Sequence, residues 1–103
     1  GVRVAEVHPA RSEAEAYRLY REVAAAVGRP SAGDSLVRVV QQELARVRAA
    51  IPAGARPRVL FLYARGPRFL LVFGRESAGD EMLRLAGAEN AVRGFTGAKP
   101  LTP

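Results

Sequence analysis

GRESAGDEMLRLAGAEN, residues 74–90, predicts a tight turn that leads directly into a capped helix. Ser77 is placed to accept a hydrogen bond from the first helical turn, and Asp80, three residues later, is placed to reach back. Gly87 stands where a helix C-terminus favours a residue that can take positive φ. The residues predicted to face inward are Met82, Leu83, Leu85 and Ala86. The residues before this stretch are predicted to lead a strand into it, and the residues after it are predicted to form a tail.

Two apolar runs precede this helix. Residues 58–64, RVLFLYA, are short and rich in β-forming residues, which predicts a buried central strand. Residues 69–73, FLLVF, predict its hairpin partner, and the intervening residues 65–68 predict the turn. The last segment, residues 91–103, contains prolines and glycines and predicts an irregular, mostly extended tail.

The front of the chain predicts a strand and a helix. Residues 2–7 alternate apolar and polar side chains, a pattern typical of a strand with one buried face. Ser12, with Glu15 three residues later, predicts the start of a helix, and Gly28 predicts its end.

A second, longer helix is predicted over residues 31–51, where Ser31 and Asp34 repeat the capping pattern. At 1.5 Å per residue it would extend for about 30 Å, which is long for a small domain. Its predicted buried stripe comprises Leu36, Val37, Val40, Leu44, Val47 and Ile51. The element order predicts the α/β class, with too few strands for a self-contained doubly wound sheet.

The composition fits one small globular domain, since 49% of the 103 residues are hydrophobic. Without cysteine, disulfides and thiolate metal sites are excluded. Neither a membrane-spanning run nor a signal peptide is visible, which leaves a cytosolic protein or one whose leader lies outside this sequence. All basic residues except Lys99 are arginines, and the net charge of +6 fits either a compositional bias or an anionic partner.

The residues alone predict neither an enzyme nor a metal site, because His8 is the only histidine and the serines at helix starts are explained by capping. Arg75, just before a helix start, is a candidate for binding an anion, or else a solvated turn residue. Around the hairpin turn, Tyr63, Arg65, Arg68 and Phe69 suit a flat ligand with acidic edges. An ordinary hairpin surface is the alternative.

Several motifs together resemble a known family. They are the strand-like RVLFLYA, the hairpin, the G-R-x-S turn, A-G-x-x-N-A at residues 86–91, and G-x-K-P-L-T at residues 97–102. They resemble the second lobe of the class III periplasmic binding proteins that serve ABC importers of haem, cobalamin and iron-siderophores. The last motif is closest to the haem branch. In that branch a tyrosine often follows the first glycine of this motif, and here the position is Ala98, so it cannot help to hold iron.

The resemblance implies an α/β fragment of a two-lobed binding protein, because the family is about two and a half times longer. Residues 1–30 would end the first lobe, residues 31–51 would span both lobes, and residues 58–103 would begin the second. The implied function is non-enzymatic haem binding between lobes and delivery to a membrane permease. Cobalamin or ferric-siderophore binding is the alternative, and a basic nucleic-acid-binding domain is disfavoured by the even spread of arginines.

The resemblance also implies where the ligand and the protein are found. Candidate ligand-binding residues are Arg75, Tyr63, Arg65 and Lys99, with haem as the transported ligand and no catalytic cofactor. The expected location is periplasmic or lipid-anchored outside the cell. Strands that lack sheet neighbours would expose edges and apolar faces, so self-association of the chain is expected as well.

Overall fold

The computed structural model describes residues 1–101, which divide into two compact units at the boundary between Arg46 and Val47. The first unit contains helix α1 (Glu13–Ala26) and most of helix α2 (Pro30–Ala50). The second contains five short strands and one helix. Among the described residues, no helix combines the length and the apolar character that crossing a bilayer requires.

Helix α1 confirms the predicted start and end. The Ser12 hydroxyl accepts a hydrogen bond from the Glu15 amide at 3.1 Å, as an N-cap does. The Glu15 carboxylate in turn accepts from the amide of Arg11 at 2.6 Å. Gly28 follows the helix with φ +75°, a conformation that favours glycine.

Helix α2 starts one residue earlier than predicted, and its capping differs. Pro30 is the first helical residue, where its fixed φ suits the helix and its missing N–H leaves no bond unmade. Ser31 therefore lies inside the helix rather than capping it. The Asp34 carboxylate forms an ion pair with Arg21 at 3.1 Å instead of reaching back along the chain.

The buried side of α2 is narrower than the predicted stripe. Val37 is fully buried, whereas Leu36 and Val47 are each 46% exposed, so the prediction of burial is wrong for these two. Gly33 marks a close approach of α1, because a Cβ at this position would lie 2.6 Å from the Cβ of Ala24.

The predicted strand at residues 2–7 is absent from the structure, and that prediction is wrong. Residues 1–11 form no regular element, and Val2 and Val4 are 91% and 88% exposed. An alternating pattern makes a strand only where a neighbouring strand pairs with it, and no such partner exists among residues 1–101.

The second unit holds β1 (Arg58–Val59), β2 (Leu62–Ala64), β3 (Leu70–Phe73), α3 (Ala78–Leu85), β4 (Glu89–Asn90) and β5 (Ala98–Pro100). Strands β1 and β4 form a parallel pair, and β2, β3 and β5 form an antiparallel sheet in that order. The hairpin of β2 and β3 is confirmed. The single buried strand predicted at residues 58–64 is wrong, because the run divides between two sheets and β2 is exposed.

Helix α3 confirms the prediction made from residues 74–90. Ser77 is its N-cap, and Gly87 follows it with φ +84°. A Cβ on Gly87 would lie 2.7 Å from the side chain of Ile51, so this glycine also allows a close contact. The predicted inward stripe is only partly buried, since Leu83 is buried but Met82 is 61% exposed.

The tail contains a strand where an irregular segment is predicted. Strand β5 pairs with β3 in the register Phe73 with Ala98 and Leu71 with Pro100. Strand β4 was likewise missed, because a two-residue strand leaves no periodic pattern in the sequence. Thr102, the last residue of the G-x-K-P-L-T motif, lies outside the described residues.

Aromatic side chains join the sheet to α3. The rings of Phe61 and Phe73 meet edge to face, with centroids 5.0 Å apart. A Cβ on Gly79 would lie 2.8 Å from the ring of Phe73, so the first turn of α3 rests against this ring. The turn between β3 and α3 is thereby held against the hydrophobic part of the unit.

Candidate functional site

The turn before α3 is closed by side-chain hydrogen bonds. The Ser77 hydroxyl donates to the carbonyl of Gly74 at 2.8 Å and accepts from the amide of Asp80 at 3.1 Å. The Asp80 carboxylate accepts from the amide of Glu76 at 3.1 Å. Glu76 has φ 57°, an uncommon value for a residue other than glycine, and the Asp80 bond holds it there.

The side chain of Asn90 links this turn to the sheet through hydrogen bonds. Its side chain is buried, and its Nδ2 donates to the carbonyl of Phe73 at 3.0 Å and to the carboxylate of Asp80 at 3.1 Å. Its Oδ1 accepts from the amide of Val92 at 2.9 Å. The amide group thus joins the end of β3, the start of α3 and the segment after β4, and it keeps the turn rigid.

Arg75 is held through its backbone while its side chain stays exposed. Its amide donates to the carbonyl of Phe95 at 2.9 Å, and its carbonyl accepts from the amide of Gly97 at 2.7 Å. The neighbouring Gly74 is required here, because a Cβ would lie 2.5 Å from the carbonyl oxygen of Phe95. The structure therefore fixes the point from which the guanidinium of Arg75 extends.

Arg75 lines a cleft of about 520 Å³ with three other arginines. These are Arg56, Arg84 and Arg93, which lie far apart in the sequence and meet only in the folded chain. Arg84 pairs with Glu81 at 2.7 Å, and Arg93 pairs with Glu89 at 3.2 Å. We call this surface the arginine cleft.

The hairpin end carries the predicted aromatic and basic residues. The rings of Tyr63 and Phe69 meet edge to face at 6.4 Å, and both side chains are nearly half exposed. The amide of Arg65 donates to the carbonyl of Phe69 at 2.9 Å, which closes the hairpin. Arg65 and Arg68 are exposed in the turn of the same hairpin, so apolar and cationic side chains occur together at this end.

Lys99 lies apart from the hairpin end. Its Nζ is 4.7 Å from the ring centroid of Phe95, a cation–π distance. Tyr63 pairs with Leu71, whereas Lys99 pairs with the next residue along β3, Val72. Because successive strand residues point to opposite faces, Tyr63 and Lys99 lie on opposite faces of the sheet.

The four predicted ligand-binding residues thus lie in three places. Tyr63 and Arg65 share the hairpin end, Lys99 lies over Phe95, and Arg75 is in the arginine cleft. Phe69 and Arg75 are six residue steps apart along the extended chain of β3, roughly 20 Å at the usual strand rise. Their roles in binding stay predictions.

Arg56 and Asn90 were not among the predicted site residues. Asn90 belongs to the A-G-x-x-N-A motif, but its spacing gives no sign that the amide reaches the carbonyl of Phe73. Arg56 lies in a turn-rich link, and only the fold brings it beside Arg75. Among residues 1–101, no group of three or more His, Asp or Glu side chains is arranged to hold a metal ion.

A second cavity of about 890 Å³ lies beside the link after α2 and contains none of the four predicted residues. Its lining includes Ile51, Pro52 and Leu85, together with the charged side chains of Arg48 and Arg84. We therefore take the hairpin end and the arginine cleft as the candidate functional surfaces.

Comparison with known proteins gives one family match. The family model described as periplasmic binding protein matches residues 1–101. No sequence among the curated proteins matches this chain.

Solved structures of binding proteins share this fold. The periplasmic haem-binding protein RhuT from Roseiflexus sp. RS-1, in apo form, is 39% identical over 89% of this chain, with a TM-score of 0.79. The periplasmic haem-binding protein BhuT, in complex with two haems, is 35% identical over 88%, with a TM-score of 0.69. A Staphylococcus epidermidis protein, described as a possible iron-binding (periplasmic solute-binding) protein, matches 99% at 20% identity, with a TM-score of 0.85. The chain spans 36%, 36% and 40% of these three proteins.

Proposed function

Because this chain belongs to the periplasmic binding protein family, we propose that it contributes to a non-enzymatic carrier that binds haem for an ABC importer. The observation that carries this proposal is the 39% and 35% identity to two haem-binding proteins, each over nearly nine-tenths of the chain. The family is one of solute-binding proteins, and the level of identity to these two relatives favours haem over other solutes.

The hairpin end supports a flat, partly apolar ligand. The exposed rings of Tyr63 and Phe69 provide a surface on which a tetrapyrrole can pack. The exposed guanidinium of Arg65, in the same hairpin, can form charge-assisted hydrogen bonds with the carboxylates of haem. Arg75 and Lys99 are further proposed partners for negative groups of the ligand.

The wider assembly is proposed from the family as well. We expect a periplasmic or lipid-anchored protein of two lobes, with residues 31–51 joining residues 1–30 of the first lobe to the second lobe that begins at residue 58. Haem would lie between the lobes and pass from there to a membrane permease. The chain itself spans 36% of the length of either haem-binding relative, so these features concern a longer protein.

Titration of the purified chain with haem, followed by the haem absorbance band, tests the proposal. We expect a saturable spectral change for the unaltered chain. Replacing Tyr63 by Ala, or Arg65 by Gln, should weaken binding about tenfold each, because each removes one contact worth roughly 1–2 kcal/mol. Cobalamin, titrated in parallel, should bind more weakly than haem.

Arg38→Gln provides the matched control for Arg65→Gln. Arg38 is an exposed arginine in the first unit, where it donates a 3.3 Å hydrogen bond to Ser35. Its replacement should leave haem affinity unchanged. Absence of a saturable change with haem, or preferential binding of cobalamin, would contradict the proposal.

A further inference from the structure

The arginine cleft has an uneven balance of charge. The guanidinium groups of Arg84 and Arg93 are engaged by Glu81 and Glu89. Among residues 1–101, no carboxylate forms an ion pair with Arg56 or Arg75, although both line the same cleft. The excess positive charge of the cleft therefore comes from these two side chains.

One carboxylate of the cleft lining, which keeps its negative charge, accepts hydrogen bonds from neutral groups of the turn. Asp80 lines the cleft, but its oxygens accept from the amide of Glu76 and from Nδ2 of Asn90. It is held by the turn and is not directed to either arginine by any hydrogen bond. Two like charges in one concave site repel each other, and an anion placed between them would remove that repulsion.

From this arrangement we propose that Arg56 and Arg75 form a binding site for a small anion that carries two negative charges, such as a dicarboxylate. Arginine suits this role because its planar group donates paired hydrogen bonds to a carboxylate. Because hydrogen bonds already fix the backbone of Arg75, binding an anion costs less conformational entropy there. A volume of about 520 Å³ accommodates a small ligand, and the neutralised Arg84 and Arg93 disfavour a long polyanion.

Two sources could supply such an anion. One is a free dicarboxylate, and the other is the pair of carboxylates on a bound tetrapyrrole, which rests on the proposed function. The site itself is tested without haem, by calorimetric titration of the chain with malonate and, for comparison, with acetate. If haem fails to bind but malonate binds, the proposed function fails and the anion site stands.

The expected result is saturable malonate binding that weakens at high salt, with acetate binding at least tenfold more weakly. Arg56→Gln and Arg75→Gln should each lower malonate affinity at least tenfold. Arg38→Gln, a matched control at an exposed arginine outside the cleft, should change it less than twofold. Circular dichroism should show the three variants folded as the unaltered chain is, since all three side chains are exposed.

Competition then assigns the source of the anion. Displacement of malonate by haem, but not by haem dimethyl ester, would support the site and assign it to the carboxylates of the tetrapyrrole. Simultaneous binding of haem and malonate would support the site and assign it to a separate anion. Absence of saturable malonate binding, or an equal loss in Arg38→Gln, would overturn the proposal.

Discussion

Asn90→Asp tests whether the buried amide holds the turn that carries Arg75. The substitution keeps the shape of the side chain but replaces the Nδ2 donor by an oxygen. That oxygen would face the carbonyl of Phe73, now 3.0 Å from Nδ2, and the carboxylate of Asp80, now 3.1 Å away. Together with the 3.4 Å bond from Nδ2 to the carbonyl of Gly74, three hydrogen bonds would be replaced by repulsive contacts in a site that is largely closed to water.

The magnitude follows from the charges. Two carboxylate charges about 3 Å apart repel by roughly 5 kcal/mol at an effective dielectric constant of about 20. Protonation of the introduced carboxyl limits the loss, because neutralising a group with an ordinary pKa of about 3.9 at pH 7 costs about 4 kcal/mol. We therefore expect Asn90→Asp to lower the free energy of unfolding by about 2–4 kcal/mol at pH 7.

The loss should depend on pH in a defined direction. Burial beside Asp80 would raise the pKa of the introduced carboxyl, so the folded variant would hold a proton more tightly than the unfolded chain does. The part of the penalty that comes from charge should be absent below pH about 4 and should grow as the pH rises toward the raised pKa. Urea unfolding followed by circular dichroism at pH 4.5 and pH 7 measures this difference.

Gln42→Glu is the matched control, since it makes the same amide-to-carboxylate change at an exposed position of α2. We expect its effect to stay within about 0.5 kcal/mol at either pH. If Asn90→Asp were equally harmless at pH 7, or if its loss did not shrink at pH 4.5, the assigned role of Asn90 would be wrong.

Two further predictions concern packing and assembly. Gly74→Ala should lower the free energy of unfolding by about 1–3 kcal/mol, because its Cβ would meet the backbone of Phe95. Gly94 has open space around it, so Gly94→Ala should change the free energy of unfolding little. Thermal unfolding compares the two variants. The chain should also self-associate through the open edges of β2 and β5, so light scattering during size exclusion should give a mass above 11.1 kDa, and a clean monomer would contradict this.

Local signals in the sequence predicted the ends of α1 and α3 correctly, but not the cap of α2. Ser12 and Ser77 cap α1 and α3, and Gly28 and Gly87 end them, because a cap depends on residues within one turn of each other. The hairpin of β2 and β3 was predictable for the same reason. Sheet membership was not, since β1 pairs with a strand thirty residues later in the chain.

The sequence indicates candidate site residues only where the local position of a single residue suggests a role. Arg75 is a candidate because it precedes a helix, and Tyr63 and Arg65 are candidates because they lie at a hairpin turn; their roles in binding stay predictions. Arg56 could not be recognised, because the sequence does not show which distant residues will share a cleft. The even spread of arginines in the sequence likewise hid the gathering of four of them at one surface.

The hairpin end and the arginine cleft differ in how firmly the fold holds them, and this difference bears on what each can bind. The hairpin end is closed by one backbone hydrogen bond beyond its strands, and its exposed rings can adjust to a flat ligand. The arginine cleft instead rests on a turn that Asn90, Ser77 and Asp80 fix from three sides. A rigid backbone lowers the entropy cost of forming directional hydrogen bonds to an anion. Contacts with an apolar ring system depend less on direction and tolerate movement. A ligand whose charged groups determine its position would therefore need rigid support at Arg75. Support at Tyr63 would matter less if apolar contacts there supplied the remaining affinity.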